Sequence, residues 1–304
     1  MRWAWILIIL VVGCGDDDAV APDGAQAGDG RPGDAPPDGL GGAASAGRLT
    51  VTEVNATFGG SGSFFGEFMA GGLPVWHRET MVMGDCRLFE YDPPFCDPFC
   101  DFQFYCAEGN VCQPYPTFMS AGTITVSGLK TALVAQPSAC GFCVGEQYQP
   151  PALLPADLFD DGDPVSAVAA GAAFPAFTVE AAGVTPLEAT FTAGKIVIQD
   201  DVDETVSWTA AGGDARVRLT INANNFGHGA PYEAIIICDT ADTGQVVVPG
   251  AMITAFPPAV AADACGGSDC PPSRLMRYRR GVVETSAGKV ELIVGSEILF
   301  GVDH

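Results

Sequence analysis

The sequence predicts an all-β protein, an antiparallel β-sandwich or jelly-roll-like body with a small disulfide-rich lobe. Three observations carry this. At least ten short segments alternate apolar and polar residues, or form brief β-branched runs, between turns rich in Gly, Pro and Asp. No stretch has a sustained helical period, so sheet-on-sheet packing must build the core. Five cysteines fall within residues 86 to 116, where no apolar period is long enough to bury much surface and cross-links must substitute for it.

Taken in order, Val51 to Phe58 alternates and opens the body, and Phe64 to Met69 follows the Gly59-Gly60-Ser61-Gly62 turn. Gly122 to Gly128 and Ala176 to Glu180 are the next strands. Pro150, Pro151, Pro155, Pro164 and Pro175 break the chain between them and leave room for helix over a turn or two at most. Lys195 to Ile198 and Thr205 to Trp208 precede the clearest alternation, Arg216 to Asn222, which turns Val217, Leu219 and Ile221 inward and their polar neighbours toward water. Glu233 to Cys238 is apolar as a central strand would be, Asp239 to Gly244 turns the chain, and Gln245 to Val248 returns it. Residues 274 to 279, residues 289 to 294 and a short piece near Ile298 to Phe300 complete the set. Trp208 and Cys238 suit a sandwich core, although no cysteine precedes Trp208 at the spacing of an antibody domain.

The N-terminus has a different character. One positive charge, Arg2, precedes the apolar run Ile6 to Val12, which is too short to span a bilayer and predicts a signal peptide over residues 1–13. Its ending, Val11-Val12-Gly13-Cys14, resembles the lipobox of bacterial lipoproteins. That resemblance implies cleavage before Cys14 and its acylation, with palmitate-type chains anchoring the protein in a lipid bilayer. A secreted protein cut elsewhere is the alternative. In the lipoproteins that the ending resembles, Asp directly after the lipidated cysteine favours the inner membrane; here Gly15 holds that place and Asp16 follows, so the resemblance implies the outer membrane over the inner. Residues 14–47 then read as a disordered acidic tether: after Cys14 they hold seven Asp, one Arg and no aromatic residue.

The remaining body divides into an N-terminal β region, 48–186, with the lobe at 86–116, and a C-terminal sandwich-like region, 187–304. Beside Cys14 the chain holds ten cysteines, an even number expected to pair outside the cytoplasm: Cys86, Cys96, Cys100, Cys106, Cys112, Cys140, Cys143, Cys238, Cys265 and Cys270. Seven precede residue 150 and three follow it, so full pairing requires at least one bridge between the portions and couples the regions tightly.

The whole chain carries a formal net charge of −23, which excludes nucleic acid as an expected partner. Arg274, Arg277, Arg279 and Arg280 are the one local exception, read as the solvated face of a strand with a partner patch as the alternative. The lipobox, the tether, the Cys96 to Cys112 cluster, the Val206-Ser207-Trp208-Thr209 strand and the turn from Ile237 to Gly244 together resemble cysteine-containing lipoproteins of myxobacteria and related Gram-negative bacteria. The resemblance implies architectural roles for these motifs and brings no catalytic residue.

Four constellations are candidate sites. Cys140-Gly141-Phe142-Cys143 has the C-x-x-C spacing of a redox pair, against structural disulfides, and lacks the strand and long helix such a pair uses. Asp160, Asp161 and Asp163, with Asp200, Asp201 and Asp203, concentrate hard oxygen ligands in two loops suited to structural Ca²⁺, against plain acidic turns. His77, His228 and His304 form no spaced metal pair and read as two loop residues and a frayed terminus. Phe89, Tyr91, Phe95, Phe99, Phe102, Phe104, Tyr105 and Tyr115 interleave with the cysteine cluster, packing it against the body or presenting rings to a glycan or protein ligand. The reading favoured is a non-enzymatic, membrane-anchored envelope lipoprotein with a structural or recognition role. Thiol-disulfide exchange through Cys140 and Cys143, and an envelope hydrolase with a non-contiguous site around His77 or His228, are the alternatives.

Overall fold

The computed structural model describes residues 46–55, 60–70, 74, 76–139, 145–222, 233–258 and 273–304. The signal segment, Cys14 and the tether up to residue 45 lie outside the described residues. Four strands open the body: β1 (Gly47–Asn55), β2 (Ser61–Ala70), β3 (His77–Met83) and β4 (Cys86–Tyr91). Next come the hairpin β5 (Phe104–Ala107) and β6 (Val111–Pro114), then β7 (Thr117–Phe118), β8 (Ile124–Ser127), β9 (Leu133–Ala135), β10 (Pro137–Ala139) and β11 (Glu146–Tyr148). The chain continues through β12 (Pro164–Ala169), β13 (Phe177–Ala182), β14 (Lys195–Val197), β15 (Glu204–Ser207), β16 (Arg216–Asn222), β17 (Ala234–Ala241) and β18 (Gln245–Val248). A six-residue helix α1 (Gly250–Ala255) leads toward the hairpin β19 (Ser273–Thr285) and β20 (Gly288–Asp303).

The protein is a β-sandwich built on one large sheet. Its path runs β10-β11-β2-β1-β20-β19-β16-β17-β4-β3, with β7 added on β2 and β14 on β20. Pairing is antiparallel except where β20 meets β1 and β14. Strands from before residue 187 thus flank both sides of strands from after it, and the two sequence regions share one sheet.

Period-two alternation explains how β20 serves as the spine. Its even positions Val290, Leu292 and Val294 enter one apolar core, and Phe300 and Val302, on the same face, enter a second. The first core is closed by the four-stranded sheet β13-β12-β8-β9, which supplies Ile124, Val126, Leu133, Val165, Ala167 and Val179. The second is closed by the pair β15-β18 and by α1, through Val206, Val248, Met252 and Ile253. Ser296 lies between them, and its hydroxyl accepts a hydrogen bond from the Leu187 N–H at 3.0 Å. The second sheet approaches β19 so closely that a Cβ at Gly281 would fall 1.7 Å from the Glu180 carbonyl oxygen, which is why glycine stands there.

Two buried polar side chains lock the loops to this frame. Glu53 Oε1 accepts from the Leu158 and Phe159 N–H groups at 2.7 and 3.3 Å, while burial raises its carboxyl above the usual range against the pull of those bonds. The fully buried Tyr148 hydroxyl accepts from the Ala121 N–H at 2.8 Å and donates to the Gly122 carbonyl at 2.7 Å. Tyr148→Phe would strand both backbone groups. The expected cost is about 1–3 kcal/mol in urea denaturation, with no change of fold by circular dichroism.

Several expectations change. Cys86 was grouped with the lobe, but it starts β4, a strand of the large sheet with Leu88 and Phe89 fully buried. The lobe therefore begins after Tyr91. Pro164 was read as a breaker, yet it heads β12, a strand position where a missing N–H is tolerated. The last two predicted strands merge into β20, because Gly295 and Ser296 pair with Tyr278 and Arg277 instead of turning. The arginines do not form one face. Arg277 is 1 % exposed on the core side, two residues from Leu275, whereas Arg274 and Arg280 occupy the opposite side of β19. Nor is that opposite face wet at β16, where Arg218 and Thr220 are both buried.

Candidate functional site

The lobe takes its shape from one strand pair. Cys106 and Cys112 sit opposite each other on β5 and β6, and each is bridged to the preceding segment, in Cys96–Cys106 and Cys100–Cys112. The turn between the strands places Gly109 and Asn110 at positive φ, 77° and 62°. Asn110 then reaches back: its Oδ1 accepts from the Asp97 N–H at 2.8 Å and its Nδ2 donates to the Asp97 carbonyl at 2.9 Å. Two bridges and this two-way contact fix a segment that lacks an apolar core of its own. Arg78 on β3 joins the lobe to the sheet by contacts with Asp92 and Glu108.

The aromatic residues divide between packing and exposure. Phe89 is fully buried in the sheet, and Tyr105 is buried with its hydroxyl donating to Gln113 Oε1 at 2.9 Å. Burial raises the Tyr91, Tyr105 and Tyr115 hydroxyl pKa values above the usual range. Phe104 and Tyr115 are partly exposed. Phe95, Phe99 and Phe102, by contrast, are 69, 80 and 86 % exposed, and the rings of Phe95 and Phe99 meet edge to face at 4.9 Å between centroids. For these three the packing alternative does not hold.

The motif from Ile237 to Gly244 proves architectural. Asp239 at the end of β17 takes Arg216 Nε at 2.5 Å, Arg218 Nε at 3.0 Å and the Tyr278 hydroxyl at 2.6 Å. Burial, with Asp239 adding to it, pushes the Tyr278 hydroxyl up to about 12, so it stays a donor. Asp242 accepts from Arg277 Nε at 2.8 Å, Trp208 Nε1 at 2.6 Å and the Ala211 N–H at 3.0 Å. Burial opposes its ionisation, but the bonds from Arg277, Trp208 and Ala211 outweigh that and hold its carboxyl below the usual carboxylate range. Arg277 also donates to the carbonyls of Thr185, Pro186 and Thr209, so one guanidinium joins four segments of chain.

The acidic loops act as braces. Asp160 pairs with Lys130 at 2.7 Å, Asp161 with Arg279 at 2.9 Å, and Asp163 accepts from the Asp160 N–H at 3.0 Å. Asp203 accepts from the Gly250 N–H at the start of α1, Asp201 contacts Thr254, and Asp200 lies 3.2 Å from His304 Nε2. Among the described residues, no three of these carboxylates gather within 4.8 Å of one another, and the one close group of candidate metal ligands is Cys96, Cys100 and Cys106, whose sulfurs are spent in disulfides.

The histidine expectations need correction. His77 is no loop residue but is buried on β3, with its ring edge-on to Tyr91. His304 is docked rather than frayed, its ring packing on Phe256 and lying 3.2 Å from the Pro257 carbonyl. His228 and the cysteines Cys140, Cys143, Cys265 and Cys270 lie outside the described residues. The six described cysteines of the body are all bridged; Cys86–Cys238, between directly paired positions of β4 and β17, crosses residue 150.

One feature escaped sequence reasoning. On the face of the large sheet opposite the two cores, β1, β2, β16, β19 and β20 line a cleft enclosing about 50 Å³, with Arg48, Arg218 and Arg274 among its walls. Its residues are spread over the chain from Arg48 to Glu297, and only the sheet order assembles them. No family model matches the chain, nor does any curated protein or solved structure.

Proposed function

We propose that this chain is a lipid-anchored cell-envelope lipoprotein that recognises a glycan or a protein through its stapled aromatic lobe, with the β-sandwich as scaffold. The observation that carries the reading is the exposure of Phe95, Phe99 and Phe102 on a lobe cross-linked twice within about twenty residues. Solvent-facing phenylalanine adds little to the stability of the isolated protein, whereas rings carried on a backbone fixed by two disulfides cost less chain entropy on contact and can serve as anchors. Acylation of Cys14 would supply the other half of the function by holding the lobe at high local concentration near envelope ligands, with the acidic tether keeping the body off the lipid.

The test is retention of the chain on washed envelope fragments in a Cys14→Ser background, which removes the acyl anchor, comparing that parent with the same protein carrying Phe95→Ser, Phe99→Ser and Phe102→Ser combined. Because these side chains are exposed, the triple variant is expected to keep the wild-type melting temperature while its retention falls at least about tenfold, the loss of a small anchor cluster. Protease or periodate treatment of the fragments tells a protein ligand from a glycan. Undiminished retention of a folded triple variant would remove the lobe from the account.

A further inference from the structure

We infer that the partner of the aromatic lobe is a protein surface on which basic side chains lie among apolar ones, a conclusion that rests on the lobe being the recognition surface. The stapled segment that carries the three exposed rings reads Phe95-Cys96-Asp97-Pro98-Phe99-Cys100-Asp101-Phe102, so an aspartate separates each phenylalanine from the next. Residues 92–116 hold four acidic side chains, Asp92, Asp97, Asp101 and Glu108, and no Lys, Arg or His. Two of the four are already satisfied, because Arg78 reaches from β3 to both Asp92 and Glu108. The other two are not. Asp97 and Asp101 are exposed, and among the described residues neither carboxylate has a hydrogen-bond or ion-pair partner; Asn110 engages only the backbone N–H and carbonyl of Asp97. The other arginine of β3 and β4, Arg87, is paired with Glu79.

Charge decides among the ligands that exposed rings could take. A ligand that covers Phe95, Phe99 and Phe102 must also approach Asp97 and Asp101, since rings and carboxylates follow one another along a doubly bridged segment. An anionic glycan or lipid headgroup meets carboxylates of its own sign, on a chain whose formal net charge is −23, and is repelled. A neutral glycan donates hydroxyls to Asp97 and Asp101 but no counter-charge, and phenylalanine offers its ring substituents neither a hydroxyl nor an N–H. A basic and apolar protein face answers both halves of the surface. Its apolar side chains cover the rings, while its lysine or arginine groups lie over a ring face and pair with the adjacent carboxylate. The same charges steer such a partner toward the lobe and make the encounter sensitive to salt.

The probe is again washed envelope fragments, offered to the Cys14→Ser chain at about 50 mM and about 500 mM sodium chloride, which lengthen and shorten the range of the lobe's field. Asp97→Asn combined with Asp101→Asn is expected to keep the parent's melting temperature, since neither carboxylate braces the fold, and to lose about tenfold in retention at the lower salt, the loss of a charge-assisted contact. Raising the salt should weaken the parent more than this variant, and protease treatment of the fragments should abolish retention where periodate does not. Glu180→Gln with Glu188→Gln removes the same charge from exposed positions on and after β13 and should leave retention at the parent's level. Undiminished retention of the aspartate variant, beside a phenylalanine variant that no longer binds, would overturn the basic partner while leaving the lobe as the recognition surface; retention removed by periodate and not by protease would do the same and identify a glycan. An equal loss in the Glu180 and Glu188 variant would also overturn it, because the attraction would then belong to the overall charge of the chain. Undiminished retention of the phenylalanine variant contradicts the recognition reading itself, so the two failures are told apart.

Discussion

Asp242→Ala is expected to destabilise the protein by about 3–5 kcal/mol, enough to leave a typical domain near its unfolding threshold. The carboxylate is fully buried and so is its partner, with side-chain exposures of 0 % for Asp242 and 1 % for Arg277. Removing it leaves a buried guanidinium without its counter-charge and also frees the Trp208 indole N–H and the Ala211 N–H. Asp242→Asn, which keeps an oxygen for Trp208 but not the charge, should cost less than the alanine variant. The pair Asp242→Leu with Arg277→Met should cost less than the sum of the single changes, since a buried ion pair replaced whole by apolar groups leaves no stranded charge. Chemical denaturation of wild type, Asp242→Ala, Asp242→Asn, the single changes Asp242→Leu and Arg277→Met, and the double variant reads this directly. The pH dependence has a defined sign: because the folded-state carboxyl is held below its unfolded value, the stabilisation is present above the unfolded pKa and is lost as pH falls through the depressed one. The acid limb of the wild-type stability curve should therefore be steeper than that of Asp242→Asn.

Opening the Cys86–Cys238 bridge is the second large effect. The two cysteines are separated by 152 residues, and the chain-entropy estimate for a loop of that size is about 5 kcal/mol of constraint on the unfolded state. A practical expectation for Cys86→Ala with Cys238→Ala is about 3–5 kcal/mol, most of it expressed through the denatured ensemble. The native sheet should survive, because β4 and β17 keep their ladder from Ala234↔Glu90 to Ile237↔Arg87 without the sulfurs. Guanidinium unfolding of this variant beside wild type would read the loss, and a difference below about 1 kcal/mol would mean that other restraints already compact the unfolded chain.

Much of this architecture is legible in the sequence where apolar residues alternate without a break or turn residues mark the ends, even on β16, whose second face is buried as well. β16 matches its predicted limits because Val217, Leu219 and Ile221 alternate without interruption, and β18 matches because Asp, Thr and Gly mark its entry. β3 and β4 are not legible in that way: Met and charged residues break the apolar rhythm of β3, and Cys86 draws the eye to the neighbouring cluster. The burial of Arg277 did leave a signal. A residue two positions from Leu275 in an extended strand shares its face, so parity alone sets it apart from Arg274 and Arg280. Charge type pointed the other way, and the partner that makes burial affordable, Asp242, lies in a turn that no local pattern connects to it. The aromatic excess of the lobe was visible in composition, but composition does not show that Phe89 falls on β4 of the large sheet and Tyr105 on the hairpin, both buried, while Phe95, Phe99 and Phe102 fall on the exposed segment between them. Of the arginine cleft the sequence singled out only Arg274, within the basic cluster, since the walls come from five strands that only the sheet order brings together.

The central claim is that the cysteines staple a recognition scaffold and do no chemistry of their own. Peptide mapping of the native full chain by mass spectrometry without reduction, with a count of free thiols, tests it most directly. The expected result is Cys86–Cys238, Cys96–Cys106 and Cys100–Cys112 as stable linkages, with no accessible thiol at Cys140 or Cys143. A Cys140/Cys143 pair that cycles between dithiol and disulfide in a glutathione buffer, or different partners for Cys96 and Cys100, would contradict it and make disulfide exchange the function to pursue.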